Sequence, residues 1–203
     1  MRLPGILQGR VLKEAFTALF KGPYTLPFPK EPSIAHERYR GKPKYDEEGC
    51  VGCGACAEVC PANDIQVVDD PETRKRTITL YYDKCIQCGQ CEANCITEKG
   101  IKLSNEYDHL VFFDRSQAKT SVEKELVLCE VCGDIVGTAD HIRWVARKLG
   151  PLAYSNPTLV IAALKDSKLM EDIPARDKDL EPGRQDVIRI LCPKCRRQVQ
   201  LKA

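Results

Sequence analysis

Cys50, Cys53, Cys56 and Cys60 recur, each 35 residues later, as Cys85, Cys88, Cys91 and Cys95. Both runs read Cys-x-x-Cys-x-x-Cys-x-x-x-Cys, and together they use eight of the twelve cysteines. Thiolates at this density and spacing suit an iron–sulfur cubane. Its iron corners lie close together, so three ligands must come from one tight loop. Two intervening residues let the chain wrap with its amides turned toward the sulfurs. Small residues help at Gly52, Gly54 and Ala55 in the first loop and at Gly89 in the second, since glycine allows close backbone approach and positive φ. Val51, Val59, Ile65, Ile86 and Ile101 are the candidate apolar shell. Together with amide hydrogen bonds to sulfur, such a shell tunes the reduction potential.

The run is the bacterial ferredoxin signature, in which the fourth cysteine of each run serves the other of two [4Fe–4S] clusters. The expected ligand sets are Cys50, Cys53, Cys56 and Cys95 for one cluster, and Cys85, Cys88, Cys91 and Cys60 for the second. The two runs differ in one respect. Pro61 follows Cys60 whereas Ile96 follows Cys95, and Ile101 sits one residue further from its cysteine than Ile65 does. A proline there fixes a turn and supplies no ligand.

The other four cysteines form two knuckles, Cys129-Glu-Val-Cys132 and Cys192-Pro-Lys-Cys195. Each is expected to follow a short strand, Leu126–Leu128 and Val187–Leu191. A tetrathiolate site with two ligands from each knuckle fits zinc, and a single iron would use the same ligands. Unliganded thiols are the plain alternative. Disulfides suit neither the regular spacing nor a start, Met1-Arg2-Leu3-Pro4-Gly5, that lacks a secretory apolar region. Zinc on the first eight cysteines is disfavoured because zinc sites favour paired knuckles over four-cysteine runs.

The elements that must position these groups follow from pattern. Leu7 to Phe20 reads as an amphipathic helix with Leu12, Ala15, Phe16 and Leu19 on one face, ended by Gly22-Pro23. A proline-rich arm follows. Ile65–Val68 and Thr77–Tyr81 read as strands joined by a turn at Asp69-Asp70-Pro71-Glu72. Lys102 to Tyr107 repeats the first strand's role. Thr138 to Leu149 reads as a helix with Ile142, Val145, Ala146 and Leu149 on one face, stopped by Gly150-Pro151. The fold class is therefore α+β. Residues 1–44 are an N-terminal helical extension and docking arm, 45–106 a two-cluster ferredoxin-like domain, 107–121 a linker, and 122–203 a zinc-ribbon-like section with a helical insertion.

The 203 residues carry 31 Lys and Arg against 29 Asp and Glu, a net charge of +2. That balance, with no basic patch beside the knuckles, argues against a nucleic-acid partner. The longest apolar run, Leu159 to Leu164, is too short to span a bilayer, so a soluble or peripheral chain is expected. His36, His109 and His141 are too scattered for a catalytic cluster, and no nucleotide-binding loop is present.

The order of an N-terminal extension, Arg38-Tyr39-Arg40-Gly41-Lys42 and two cluster runs resembles the iron–sulfur subunit of respiratory complex I. It also resembles the equivalent subunit of membrane-bound [NiFe] hydrogenases. Tyr39–Pro43, Ile101–Ser104, Glu106-Tyr107 and Cys192–Arg196 are similar to the ferredoxin-like subunit of formate hydrogenlyase. The resemblance implies a non-catalytic electron-transfer subunit, peripheral on the cytoplasmic side of the cell membrane, with cluster-bearing neighbours on both sides. Its N-terminal helix would lie on a partner subunit or near the membrane. A stand-alone soluble ferredoxin carrier and the iron–sulfur subunit of a soluble dehydrogenase are the competing readings.

Overall fold

The computed structural model describes residues 9–22, 24–27, 30–31, 34–106, 116, 118–171, 173 and 181–201. The chain divides into two units, one up to Glu37 and one from Arg38 onward. In the first unit a single helix, α1 (Gly9–Lys21), ends where Gly22 turns to φ 74° and its amide bonds the Ala18 carbonyl. None of its residues is buried; Phe16, Leu19 and Phe20 are 59%, 76% and 82% exposed.

The second unit opens on β1 (Pro43–Tyr45), which pairs antiparallel with β4 (Ile101–Leu103). This pairing, with bonds from the Gly41 and Lys42 amides to Ser104 and Glu106, draws residues 38–44 into the cluster unit. The sequence had assigned them to the docking arm. Each cysteine loop closes on a single helical turn, α2 (Ala55–Glu58) or α3 (Gln90–Ala93). The backbones repeat as the cysteines do. Gly54 and Gly89 have φ 79° and 81°, and Asn63 and Glu98 have φ 49° and 62°.

Between the two loops, β2 (Ile65–Asp70) and β3 (Lys75–Tyr81) form an antiparallel hairpin. Its turn starts one residue beyond Asp70, whose carboxylate accepts from the amides of Glu72 and Thr73. β5 (Lys119–Leu128) and β6 (Ile135–Thr138) extend that hairpin into a four-stranded antiparallel sheet, β2-β3-β5-β6. Sequence pattern expected only Leu126–Leu128 as strand here, with a linker to residue 121. Instead β5 spans ten residues and pairs with β3 from Lys75↔Glu125 to Tyr81↔Lys119. Val122 and Leu126 are buried with Ile78 and Leu80, whereas Glu123 and Glu125 face water. Full burial of side chains of this size contributes roughly 1.5–3 kcal/mol each. Most of the expected linker, and Tyr107 of the expected third strand, lie outside the described residues.

Beyond the sheet, Thr138 caps α4 (Ala139–Leu149) by accepting from the His141 amide. Gly150 ends that helix, but the chain continues as a 3-10 turn, Gly150–Ser155, before α5 (Pro157–Asp166). The apolar face expected on α4 is only partly covered, and Leu149 is 42% exposed. The strand expected at Val187–Leu191 is replaced by a 3-10 turn, Arg184–Ile188. Hydrogen bonding explains the change. Asp186, 1% exposed, accepts from the Gly183 amide and from Arg189, while the Arg196 guanidinium occupies the Val187 and Arg189 carbonyls. Groups satisfied in this way are not available to a neighbouring strand. The second knuckle accordingly opens a helix, α6 (Pro193–Leu201), not a β-ribbon.

Candidate iron–sulfur sites

The eight cysteines of the two runs line two cavities. One is lined by Cys50, Cys53, Cys56 and Cys95 with Tyr45, Val51, Ile78 and Ile101. The other is lined by Cys60, Cys85, Cys88 and Cys91 with Asp64, Ile65, Ile86 and Leu103. Each cavity thus takes three cysteines from one run and the fourth from the other. None of the twelve cysteines forms a disulfide.

The surroundings suit thiolates held on iron. The Gly52 amide donates to Cys50 Sγ at 3.4 Å, the Tyr45 hydroxyl lies 3.9 Å from Cys56 Sγ, and the Thr97 hydroxyl lies 3.3 Å from Cys95 Sγ. Burial pushes Cys56 and Cys85 up to about 12 and Cys91 to about 11. Burial also pushes Cys95 upward, but hydrogen bonds from Thr97 and from the Gly100 and Ile101 amides outweigh it, leaving this thiol below its ordinary value. Protons leave such sites readily only when a cation takes their place. Of the expected shell, Val51, Ile65 and Ile101 are buried and Val59 is half-buried. Ile86 is the exception at 65% exposed, because it sits on the rim of its cavity.

Three polar residues that spacing did not single out contact the loops. Asp64, 2% exposed, accepts from Cys60 Sγ at 2.5 Å. Arg76 donates to the Gly52 carbonyl at 2.9 Å while paired with Asp69. The hydroxyl of Thr138, fully buried, donates to the Val51 carbonyl.

The remaining four cysteines also converge. The sulfurs of Cys129, Cys132, Cys192 and Cys195 all lie within 4.8 Å of one another, the one such group of ligand atoms among the described residues. A tetrahedral ion with ~2.3 Å bonds to sulfur needs its ligands about 3.8 Å apart, and Cys132 and Cys192 are at 3.6 Å. Burial raises Cys132 and Cys195, while amides of Cys132, Cys192 and Val131 overcome the burial of Cys129 and hold it low. Glu130 joins the two knuckles. Its amide bonds the Ile190 carbonyl, and its carboxylate accepts from the Ile190 amide at 2.8 Å and pairs with Lys165.

Residues 49–99 match the 4Fe-4S dicluster domain family. Over 115 residues the chain is 32% identical to NAD(P)H-quinone oxidoreductase subunit I of Gloeobacter violaceus, covering 54% of each chain. Subunit I of Prochlorococcus marinus subsp. pastoris is 38% identical over 80 residues, 36% of this chain and 38% of that one. A chain in the structure of the membrane-bound sulfane sulfur reductase, an archaeal respiratory membrane complex, is 27% identical. That match covers 53% of this chain and 56% of the other, with a TM-score of 0.35. The chain spans about half, or less, of the length of the curated relatives. The cofactors are two [4Fe–4S] clusters, in keeping with the dicluster match over residues 49–99, and the chain is homologous over 115 residues to NAD(P)H-quinone oxidoreductase subunit I. No helix among the described residues is long and apolar enough to cross a membrane.

Proposed function

We propose that the chain is a non-catalytic electron-transfer subunit of a membrane-bound hydrogenase or complex I-like oxidoreductase. It relays electrons between an input subunit and the cluster beside the active site, peripherally on the cytoplasmic side. The observation that carries this reading is the pair of matched four-thiol cavities. Cys50, Cys53, Cys56 and Cys95 hold one cluster, and Cys85, Cys88, Cys91 and Cys60 hold the second. When bound, the clusters supply one-electron redox chemistry without side-chain acid–base steps. The protein's part is to hold the thiolates, to exclude water with Val51, Ile65, Ile78 and Ile101, and to fix the charges around each site.

The name of the relatives, quinone oxidoreductase subunit I, supports a place in a multi-subunit assembly. The exposed Phe16, Leu19 and Phe20 of α1 support a docking role for residues 1–37 on a partner subunit or the membrane surface. Cys129, Cys132, Cys192 and Cys195 bind zinc, or a single iron, as a structural clasp between the β5–β6 connection and the start of α6.

Chain isolated anaerobically with its partners should contain about eight irons and give paramagnetic signals on reduction. It should also elute with larger subunits, one of them nickel-ligating if the assembly is a hydrogenase. Elution as a lone small protein would support the soluble carrier. Far fewer irons would remove the electron-transfer reading altogether.

A further inference from the structure

We propose, on the reading of this chain as one member of an assembly, that the end of α4 and the 3-10 turn Gly150–Ser155 form a docking face for an acidic protein partner. The face lies outside both cysteine runs and outside the matched residues 49–99.

From His141 to Lys165 the chain carries Arg143, Arg147, Lys148 and Lys165 and no Asp or Glu. The overall share, 29 acidic residues in 203, would place about three or four in such a stretch of 25. Two of the four cations are spent inside the fold. Arg143 forks onto Asp166 at 2.6 and 2.8 Å and also reaches Asp140, which holds α4 to α5. Lys165 pairs with Glu130 of the first knuckle. Arg147 and Lys148 are exposed and reach no carboxylate among the described residues. Arg147 donates to the Arg143 carbonyl of its own helix, and Lys148 Nζ lies 5.6 Å from the centroid of the Trp144 ring.

Beside these two cations stand Leu149, Leu152 and Tyr154, which are 42%, 70% and 80% exposed. Earlier in the helix Ile142, Val145 and Ala146 are half-buried, so the uncovered apolar surface lies at its C-terminal end. Gly150, at φ 56°, stops the helix there, and Pro151 opens the 3-10 turn that carries Leu152 and Tyr154. Leucine and tyrosine edged by arginine and lysine suit a protein interface. Burial of the apolar groups supplies affinity, and the cations select a partner of negative sign. A lipid surface fits less well. Two cations fall short of the clusters of about four to eight that read an anionic leaflet. The exposed apolar groups also sit at one turn, not along a helix as in α1. The face thus fits carboxylates fixed on a folded protein. Because α4 starts at Thr138, whose hydroxyl donates to the Val51 carbonyl, that protein would rest on the element covering the first cysteine loop.

The test uses the native assembly, isolated anaerobically and treated with a water-soluble carbodiimide, which joins a lysine amine to a carboxylate in contact with it. Peptide mass spectrometry should find Lys148 joined to an Asp or Glu of another subunit. Leu152→Asp with Tyr154→Asp should cut recovery of that subunit about tenfold. Lys148→Glu should lower recovery too, and exchanging the linked carboxylate for lysine should restore it. An assembly in which Lys148 is joined only within its own chain, or to nothing, would overturn the inference and leave the assembly reading intact. So would full recovery of the subunit by the Leu152→Asp, Tyr154→Asp chain. Binding of the full chain to vesicles of phosphatidylglycerol and phosphatidylcholine, abolished by that double variant, would give the face to lipid and overturn the inference as well. A wild-type chain that elutes alone would overturn the assembly reading and this inference with it.

Discussion

The two cysteine loops have the same spacing and nearly the same backbone, yet equivalent residues meet different surroundings. Val51 is 7% exposed, and its counterpart Ile86 is 65% exposed. Gly52 and Gln87 both have positive φ, 68° and 55°. A Cβ on Gly52 would lie 2.9 Å from Thr138 Cγ2 and 3.0 Å from Lys124 Cγ, so no side chain fits there. Gln87 carries a full side chain at the same place. The difference comes from β5, β6 and the start of α4, which cover the first loop. The covering hairpin carries the Cys129–Cys132 knuckle in its connection and Thr138 at its end. Identical ligand geometry can therefore be given unequal shielding by an appended sheet.

The proposed crossing of ligands is the feature whose loss should have the largest effect. Cys60→Ser with Cys88→Ser should damage a single site and leave about four irons per chain. Cys60→Ser with Cys53→Ser should damage both sites and leave almost none. Equal iron in the two double variants would contradict the assignment. Stripping the metal proposed at Cys129, Cys132, Cys192 and Cys195 should loosen the covering hairpin. In air, the cluster beside Cys50 should then bleach faster while the other keeps its rate. Uniform bleaching would show that the knuckles do not support the first loop.

Smaller effects sharpen the contrast between the loops. Gly52→Ala, strained at φ 68° and without space for a methyl group, should cost about 1–3 kcal/mol in denaturant unfolding. Gln87→Gly should change stability by less than about 1 kcal/mol. Thr138→Val removes the bond to the Val51 carbonyl and the cap of α4, for a loss of about 1–2 kcal/mol. The smallest effect concerns Asp69, which hydrogen bonding by Arg76 holds below its ordinary value. A depressed carboxylate stabilises the fold above the unfolded pKa, about 4 for Asp, and that contribution disappears as pH falls through the lowered value. Asp69→Asn should flatten this part of the acid limb of an unfolding curve; an unchanged limb would show that the pair contributes nothing.

Much of the candidate site was legible in the chain because cubane ligation imposes a spacing that survives without neighbours. The cysteine periodicity, the β2–β3 hairpin and α4 all follow from local pattern. The extent of β5 was hidden because two of its half-buried positions hold Thr120 and Lys124, which break the apolar alternation a strand usually shows. The turn at Arg184–Ile188 was misread because Val187, Ile188 and Ile190 look β-forming, whereas Asp186 and the distant Arg196 take the backbone groups a strand would need.

By itself the sequence determined which atoms are available to hold metal, because ligand type and separation along the chain are local properties. Tertiary structure alone decided which loop is covered and where Asp64, Arg76, Lys124 and Thr138 stand relative to the sulfurs. Those relations depend on strand pairing between residues far apart in the chain, so that electrostatic environment belongs to the packed sheet and not to any motif.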